Sequence, residues 1–392
     1  MPEAVIIEVI RTASGKGKPG GGLSAVHPVD LLASVLIDLV ARTGISPDII
    51  DDVIGGTVSQ VGEQSLNLTR SAVLSAGFPE AIPATTIDRQ CGSSQQAVAF
   101  AAQAIVAGTH DVVIACGVES MSRVPLGSST QGADLHGDRL AVRYPEGLVG
   151  QGISAELIAA RWKLSRTRLD EFSAASHARA TQAQDAGHFA RELSVVDTPS
   201  GPFTRDETIR SSTTVEALSS LQPSFREERY EKRFPQIDWS ITPGNSSPLT
   251  DGASAALIMS ADKAAQLGLR PRARVHSLAV VGSDPLYMLT GVIPATQKVL
   301  IKAGLSIDDI DTFEVNEAFA PVPLVFRAET GAPESKVNPW GGAIALGHAL
   351  GSSGTRLLAT MVNYLDATGG RYGLQTMCEG GGMANATIIE RL

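Results

Sequence analysis

The pattern of apolar and polar positions predicts an α/β chain that begins and ends with β-strands. Apolar residues dominate residues 4–10 (AVIIEVI), 251–260 (DGASAALIMS) and 385–392 (NATIIERL), and short bounded runs of this kind favour strands. Residues 167–183 are more polar and have helical spacing, which predicts a helix. Strands that alternate with helices are typical of α/β folds.

The chain contains an internal repeat with an offset of about 260 residues. Residues 43–54 (TGISPDIIDDVI) match residues 303–314 (AGLSIDDIDTFE), and each copy follows a helix-like run. Two shorter matches keep nearly the same offset and the same order: CGSS at 91–94 with LGSS at 350–353, and residues 116–121 with residues 378–383. Repeated order at a fixed offset predicts two copies of one α/β unit.

The two copies differ in length, which locates an insertion in the first copy. In the second copy the block at 378–383 runs directly into a strand, whereas in the first copy the matching strand begins only near residue 251. The intervening residues are polar and rich in Ser, Thr and Arg. We therefore predict an N-terminal half over 1–120, completed by 251–270, an inserted loop domain over 121–250, and a C-terminal half over 271–392.

Composition and charge narrow the class of protein without identifying it. The chain has 392 residues, 43% hydrophobic and 19% charged, which is enough to bury a large core. The net charge of −9 argues against nucleic acid or a membrane as partner. No apolar run approaches the roughly 18 residues that span a bilayer, and the N-terminus lacks the basic region of a signal peptide. Three scattered cysteines do not form a disulfide framework, so we expect a cytoplasmic protein.

Four blocks rich in small residues carry the candidate chemistry. The most informative, residues 337–354 (VNPWGGAIALGHALGSSG), sets His348 in a glycine-rich run. Because glycine is costly inside regular structure, so many glycines predict a backbone held close to a ligand. The other blocks are DRQCGSSQQ at 88–96, VNEAFA at 315–320 and MCEGGGM at 377–383. Together the blocks supply two cysteines, a histidine and an asparagine, which indicates a Cys/His acyl-transfer site.

Other motifs and residues receive structural interpretations. GKGKPG at 15–20 has the spacing of a dinucleotide-binding loop, but further glycines follow where its helix should begin. GAIALG at 342–347 has Walker spacing, yet His348 stands where lysine is required. We interpret Cys116 as a core residue, Glu317 as a buried hydrogen-bonding residue, and the remaining histidines as packing or surface residues. No cluster of ligand residues predicts a metal site.

These blocks, together with RTASGK at 11–16 and the Asp30-Leu31 pair, resemble the thiolase family of acyl-CoA C-acyltransferases along essentially the whole chain. The resemblance implies a duplicated, five-layered α/β/α/β/α fold with an inserted coenzyme A-binding loop domain. It also implies a homodimer or homotetramer that uses CoA and acyl-CoA esters as substrates and has no permanently bound cofactor. The sequences NEAF and GGAIALGH are its most specific elements, and the cysteine blocks are specific in combination.

The resemblance assigns a role to each reactive residue. Cys91 would be the nucleophile that forms an acyl-enzyme, and its place at a predicted helix start would lower the pKa of its thiol. His348 would take the Cys91 proton, and Cys378 would exchange the proton of the substrate α-carbon. One oxyanion hole would consist of His348 and a water held by Asn316. The other would consist of the backbone N–H groups of Cys91 and Gly380.

CoA-binding residues can be assigned from the resemblance only in part. Residues 242–252 (TPGNSSPLTDG) resemble the segment that lines the pantetheine, with Ser247 as a hydrogen-bonding residue. Met288 and Phe319 would form apolar walls, and Arg210 would face the nucleotide. Three positions depart from the usual pattern of the family: Gln222 where a basic residue is frequent, Pro243 in place of alanine, and Ala349 in place of proline.

Several functions remain to be distinguished. A ketoacyl-ACP synthase would combine its cysteine with two histidines, which the second cysteine, Cys378, argues against. An inactive thiolase-like acyl-CoA-binding protein is the non-enzyme alternative, and the intact reactive set argues against it. Acetoacetyl-CoA thiolases tend to carry His-Met where this chain has Gly150 and Gln151. We therefore predict an open acyl pocket and a degradative 3-ketoacyl-CoA thiolase for medium-length or bulky chains, with a biosynthetic acetoacetyl-CoA thiolase as the alternative.

Overall fold

The structure, a computed structural model, describes residues 2–392. Its strands are β1 Ala4–Thr12, β2 Gly15–Lys16, β3 Asp52–Gly56, β4 Ala84–Ile87, β5 Val112–Ser120, β6 Leu193–Ser194, β7 Val196–Thr198, β8 Gly201–Phe203, β9 Thr250–Ser260, β10 Ala273–Gly282, β11 Thr312–Val315, β12 Tyr372–Glu379 and β13 Met383–Arg391. Its α-helices are α1 Pro28–Thr43, α2 Leu68–Ser75, α3 Ser93–Val106, α4 Gly137–Arg143, α5 Gln151–Arg161, α6 Arg166–Asp185, α7 Val215–Ser219, α8 Glu228–Arg233, α9 Ala261–Gln266, α10 Val292–Ala303, α11 Pro321–Thr330, α12 Ala343–Leu346 and α13 Ser353–Thr368.

The main strands form two halves with the same topology. Starting from β1, the first half has the order β1-β9-β5-β3-β4. Starting from β10, the second half has the order β10-β13-β12-β11. Beyond β11, a single bridge from Phe313 to Val337 occupies the position that corresponds to β4 in the first half. The halves are joined where β1 pairs antiparallel with β10, at Val5–Arg274 and Ile6–Ala273. The duplication predicted from the internal repeat is therefore confirmed.

Helices cover the two half-sheets in three layers. α1 and α2 pack on the outer face of the first half in a core that includes Leu36. α10 and α11 pack on the second half in a core that includes Val299. α3 and α13 lie between the halves, where Val98 and Leu358 share one core with strands of both. The order is thus α/β/α/β/α, and the predicted five-layered fold is confirmed.

The two central helices begin at the candidate active site. α3 starts at Ser93, two residues after Cys91, and α13 starts at Ser353, five residues after His348. A Cβ at Gly354 would overlap the backbone of Gln95. The two helices can therefore approach one another closely only because position 354 has no side chain. Equivalent positions in the two halves therefore bring the reactive cysteine and histidine into the same central layer.

The glycines around His348 allow other segments of the chain, rather than a ligand, to pack closely against the backbone. Gly347 has a φ of +81°, and a Cβ there would lie 2.5 Å from Thr250 Oγ1. A Cβ at Gly342 would overlap the carboxyl group of Glu317. The expectation that this run holds its backbone against a ligand is wrong at these positions, because its glycines allow close packing within the chain.

The segment between β5 and β9 contains α4 to α8 and β6 to β8. β9 then returns to the first half and pairs antiparallel with both β1 and β5. Helix α5 of this segment packs through Ile153 and Leu157 into the core of the second half. Over residues 2–392 there is no helix with the length and apolar character needed to cross a membrane. Over the same residues, no group of three or more His, Cys, Asp or Glu side chains is placed to hold a metal ion.

Candidate active site

The predicted blocks meet at one pocket. Cys91 and Gly380 line a cavity of about 670 Å³. Met288 and Phe319 lie in the same wall, and most of the remaining side chains of the wall are apolar or aromatic: Val58, Leu126, Val149, Ile153, Phe225 and Tyr230. The polar side chains of the wall are Gln90, Gln151, Glu227 and Arg229. A mainly apolar cavity of this size with several polar groups suits an extended organic substrate. We refer to it as the Cys91 pocket.

A strained turn presents Cys91 to this pocket. Gln90 has a φ of +48°, a left-handed conformation that costs a non-glycine residue about 1–2 kcal/mol. Two hydrogen bonds hold the turn: the Gln90 N–H donates to Asp88 Oδ1 (2.6 Å), and Ser93 Oγ donates to the Gln90 carbonyl (2.6 Å). Helix α3 begins directly afterwards. The predicted position of Cys91 at a helix start is therefore present in the fold.

Burial dominates the ionisation of Cys91. The residue is 3% exposed, and loss of solvent raises the pKa of its thiol to about 12, whereas the Gln151 amide, 3.7 Å from Sγ, acts in the opposite direction. The expectation of a lowered thiol pKa is wrong, because desolvation outweighs the roughly 0.3–1 kcal/mol of a helix terminus. At neutral pH Cys91 is a thiol, and it needs a base to become a nucleophile.

His348 is held as a neutral base. Its Nδ1 lies 2.6 Å from Ser353 Oγ, and that hydroxyl donates to the Ala349 carbonyl (2.8 Å). We therefore assign the ring proton to Nδ1 and a lone pair to Nε2. Burial, followed by the positive charge of Arg356, lowers the pKa of the imidazole to about 3. A neutral ring with an available Nε2 lone pair is the form that accepts a proton.

Asn316 and Cys378 complete the reactive set. Asn316 Nδ2 lies 3.3 Å from His348 Nε2, and Asn316 Oδ1 is buried without a hydrogen-bonding partner in the described part of the chain. Cys378 is fully buried near the end of β12. Burial raises the pKa of its thiol well above the usual value, and an ionised Cys91 would raise it further. The two thiols are thus close enough to affect one another electrostatically.

Two backbone N–H groups are available at the pocket. Within residues 2–392, neither the Cys91 nor the Gly380 N–H donates a hydrogen bond to another protein group. Gly381 and Gly382, which follow, each have a φ of +81°, a conformation that strongly favours glycine. The glycine run after Cys378 therefore forms a tight turn that leaves Gly380 and Gly381 exposed to the pocket.

Glu317 ties the VNEAFA block to the glycine-rich block. Its carboxylate accepts hydrogen bonds from Asn338 Nδ2 (2.8 Å), Ser176 Oγ (2.7 Å) and the Ile344 N–H (3.2 Å). All of these contacts are buried. The interpretation of Glu317 as a structural residue agrees with this network.

Glu119 is a second buried carboxylate, and it is not among the residues predicted from the sequence. It accepts hydrogen bonds from the N–H groups of Val58 (2.9 Å), Ser59 (3.0 Å) and Gly351 (2.9 Å). Val58 lies in the wall of the Cys91 pocket, and Gly351 follows three residues after His348. Glu119 therefore fixes two loops of the site. Its only sequence signal is an acidic residue inside an otherwise apolar strand, β5.

Two of the four predicted CoA-binding residues, Met288 and Phe319, lie in the wall of the Cys91 pocket. Ser247 does not line the pocket, but its N–H donates to the Ala318 carbonyl (3.0 Å), directly beside Phe319. Arg210 is exposed and lies outside the pocket wall. The contacts of Ser247 and Arg210 with CoA therefore stay predictions.

The fold and the site together define an acyltransferase of the thiolase class. The family model described as "Thiolase, N-terminal domain" matches residues 4–262, and "Thiolase, C-terminal domain" matches residues 269–391. The chain belongs to the thiolase family.

Relatives within the family carry more specific names. The chain is 48% identical over 400 residues to the steroid 3-ketoacyl-CoA thiolase FadA6 of Mycobacterium tuberculosis, covering 100% of this chain and 95% of that one. It is 42% identical over 406 residues to the 3-ketoacyl-CoA thiolase of Salmonella typhimurium, with both chains covered completely. Its fold is similar to the crystal structure of the Bacillus anthracis acetyl-CoA acetyltransferase, with a TM-score of 0.88, 35% identity and coverage of 100% and 99%.

The contact between Gln151 and Cys91 was not anticipated from the sequence, and it yields a prediction. Gln151→Met keeps the length of the side chain but removes the N–H that stabilises the thiolate. We expect alkylation of Cys91 by iodoacetamide at neutral pH to slow about tenfold, the effect of one hydrogen bond of roughly 1–1.5 kcal/mol. Gln151→Glu, which adds a negative charge, should slow it further. Alkylation of Gln151→Met at the wild-type rate would show that the contact does not affect the thiol.

Proposed function

We propose that this thiolase is a degradative 3-ketoacyl-CoA thiolase that cleaves its substrate with CoA to give acetyl-CoA and a shortened acyl-CoA. The proposal is supported by a buried thiol, Cys91, on the wall of a large, mainly apolar pocket, and by a buried neutral histidine, His348, in the block that contributes Leu350 to the same wall. The names of the full-length relatives, 3-ketoacyl-CoA thiolases at 42–48% identity, support the same direction of the reaction.

The first half-reaction forms an acyl-enzyme. His348 Nε2 takes the proton of Cys91, and the thiolate attacks the 3-keto carbon of the substrate. The bond between C2 and C3 then breaks, the acyl group stays on Cys91 Sγ, and the electron pair leaves on C2 of acetyl-CoA. Cys378 gives its proton to C2. Because both thiols are protonated at rest, each step has a proton donor and a proton acceptor in place.

The second half-reaction transfers the acyl group to CoA. The Cys378 thiolate takes the proton of the incoming CoA thiol, whose sulfur attacks the thioester carbonyl, and Cys91 leaves and recovers its proton from His348. Negative charge develops on a substrate oxygen in each half. We assign the Cys91 and Gly380 N–H groups to one oxygen, and protonated His348 with a water held by Asn316 to the other. The free N–H groups and the unpaired Asn316 Oδ1 support this assignment.

CoA would enter past Met288 and Phe319. We propose that the inserted segment 121–250 holds the nucleotide end of CoA, with Ser247 bonding the pantetheine and Arg210 facing a phosphate. Arg210 is exposed and therefore accessible to a phosphate, with which a guanidinium forms strong charge-assisted hydrogen bonds.

The acyl end of the pocket favours chains longer than acetoacetyl. Gly150 and Gln151 both line the pocket, and a Cβ at Gly150 would have no other atom within 4 Å. A large side chain at position 150 would therefore project into space that is open in this chain. Val58, Leu126 and Phe225 supply apolar surface beside that space. We propose medium-length or bulky 3-ketoacyl-CoA esters as substrates.

This substrate preference can be measured directly. We expect kcat/KM for thiolysis to rise gradually from acetoacetyl-CoA to esters of about six to ten carbons, because each buried methylene is worth about 1–3 kcal/mol at most. Gly150→Met, which fills the open space, should reduce the preference for the longer esters while leaving acetoacetyl-CoA turnover nearly unchanged. A wild-type enzyme that is faster on acetoacetyl-CoA would instead establish the biosynthetic acetoacetyl-CoA thiolase.

The biosynthetic alternative has one observation in its favour, the fold similarity to the acetyl-CoA acetyltransferase of Bacillus anthracis. That similarity covers the whole chain but extends to any thiolase, since the fold and reactive set are shared within the family. An inactive acyl-CoA-binding protein would bind 3-ketoacyl-CoA without releasing a thioester product. Product formation in the same assay therefore separates all three functions.

We propose further that the enzyme is a homodimer or homotetramer in the cytoplasm. β4 is an edge strand with β3 as its sheet neighbour, and several large apolar side chains outside the Cys91 pocket are strongly exposed: Leu66, Leu135 and Val142. Such surface is typical of subunit contacts. The cysteines are free, which suits a reducing compartment. Light scattering that gave the mass of one chain, 40.9 kDa, would contradict the assembly.

A further inference from the structure

Glu379 is a buried carboxyl group in an unusual position. It is the last residue of β12, directly follows Cys378, and is completely shielded from solvent. Its side chain lies against Gly92, the residue after Cys91, so closely that a Cβ on Gly92 would overlap Glu379 Oε1. The carboxyl group therefore adjoins both reactive cysteines through the backbone, although it does not line the Cys91 pocket.

The polar atoms around Glu379 are incompletely paired. Both of its carboxyl oxygens are buried and have no hydrogen-bonding partner within residues 2–392, and the same holds for Asn385 Oδ1. The position of a Gly92 Cβ would be 3.0 Å from Asn385 Oδ1 and in contact with Glu379 Oε1, so the two acceptors share one small space. The nearby Asn385 Nδ2 donates to the Gly92 carbonyl (3.0 Å) rather than to Glu379. A buried carboxylate that receives no hydrogen bond is unfavourable, whereas a protonated carboxyl adds an O–H donor beside the two acceptors.

The charged and titratable groups that act on Glu379 are few. Arg89, on the turn before α3, favours its ionised form, and Asp88 on the same turn disfavours it. Burial is the larger influence and raises the pKa of Glu379 to about 8. In the other direction, a negative charge on Glu379 raises the pKa of the thiols of both Cys91 and Cys378.

We propose that Glu379 is a positioning residue that controls the ionisation of the two reactive cysteines. Burial without hydrogen-bonding partners keeps its carboxyl group protonated, and in this neutral form it does not oppose loss of the thiol protons. Once the carboxyl group is ionised, its negative charge opposes that loss. The neutral form predominates at physiological pH. As the pH rises through the range in which Glu379 ionises, each thiol gains a negative neighbour, so the thiolate fraction rises less steeply than for an isolated cysteine. We therefore expect the rate of thiolysis to increase less steeply with pH above the range in which Glu379 ionises.

Alkylation of Cys91 by iodoacetamide tests this control without requiring turnover. The rate constant is measured between about pH 6.5 and pH 9.5 by mass spectrometry of the Cys91 peptide, for wild type and Glu379→Gln. We expect the logarithm of the wild-type rate to rise with a slope below one near pH 8. Glu119 also raises the pKa of the Cys91 thiol and is present in both proteins, so the comparison isolates Glu379. Glu379→Gln should rise more steeply than wild type near pH 8 and react about tenfold faster at pH 9, the change that a shift of one pKa unit produces.

Glu314→Gln is the matched control. Glu314 is equally buried on the neighbouring strand β11, and its pKa is likewise raised to about 8, mainly by burial. Its charge is not among the influences on Cys91. Glu314→Gln should therefore keep the wild-type alkylation profile, which separates the local effect of Glu379 from a general effect of removing a buried acid.

Two results would overturn the proposal. One is a Glu379→Gln profile parallel to wild type, even if the variant has lower activity or a lower Tm, since that pattern indicates a structural role only. The other, which decides the matter if Glu379→Gln does not fold, is a wild-type slope of one through pH 8. The inference rests on the proposed function only in taking Cys91 as the reactive thiol. Failure of acyl-CoA to acylate Cys91 would contradict the function and leave the alkylation profiles interpretable.

Discussion

Cys91→Ala is expected to reduce kcat for thiolysis by at least about 10⁴-fold, because loss of a nucleophile removes the covalent route and leaves only binding and oxyanion stabilisation. Cys91 is buried on the pocket wall, and the strained turn at the preceding residue, Gln90, fixes its position. Removing one sulfur atom should leave the fold intact. Steady-state thiolysis followed by release of acyl-CoA measures the effect.

Cys116→Ala is the matched control for that experiment. Cys116 is fully buried on β5, the strand that corresponds to β12 in the other half, but it packs in the outer core of the first half. We expect the control to lower Tm and to keep kcat near the wild-type value. Equal loss of activity in both variants would mean that burial of a sulfur atom, rather than nucleophilic attack, explains the result.

Cys378→Ala is expected to separate acylation from the rest of the cycle. Without the Cys378 thiol, no group exchanges the proton at C2 of the acetyl unit, so thiolysis should fall by about 10²–10⁴-fold, the usual contribution of a general acid or base. Transfer of an acyl group from acyl-CoA to Cys91 breaks no C–C bond, and CoA can leave as a thiolate without a proton from Cys378, so this transfer should persist. The partial reaction and full turnover are therefore measured on the same variant. Undiminished thiolysis would remove Cys378 from the mechanism.

Much of the fold could be predicted from the sequence because the chain repeats itself. The match of residues 43–54 with 303–314 marks a helix, a short turn and a strand that occur in both halves, as α1 and β3 and as α10 and β11. Such local patterns follow from side-chain periodicity and turn residues, which a sequence displays directly. The relation between the halves depends on long-range packing, including the contact of Gly354 with Gln95, which the pattern does not contain.

The candidate site could be predicted in its residue types but not in its electrostatics. Their blocks in the sequence predict Cys91, His348, Asn316 and Cys378 as reactive residues. The fold places Asn316 Nδ2 3.3 Å from His348 Nε2, and Cys91 close enough to Cys378 to affect the pKa of its thiol. The predicted direction of the Cys91 pKa shift is wrong, because a helix start is visible in a sequence, whereas the exclusion of solvent by segments distant in the chain is not. The contact of Gln151 with Cys91 joins residues 60 positions apart and has no local signal.

Mass spectrometry of the trapped acyl-enzyme shows whether Cys91 carries the acyl group. Cys378→Ala is incubated with an acyl-CoA donor in the absence of free CoA, digested, and compared with the double variant that also carries Cys91→Ala. We expect one acyl group per chain, located on the peptide that contains Cys91 and absent from the double variant. An acyl group found on another residue, or none on Cys91 under conditions in which wild type turns over, would contradict it.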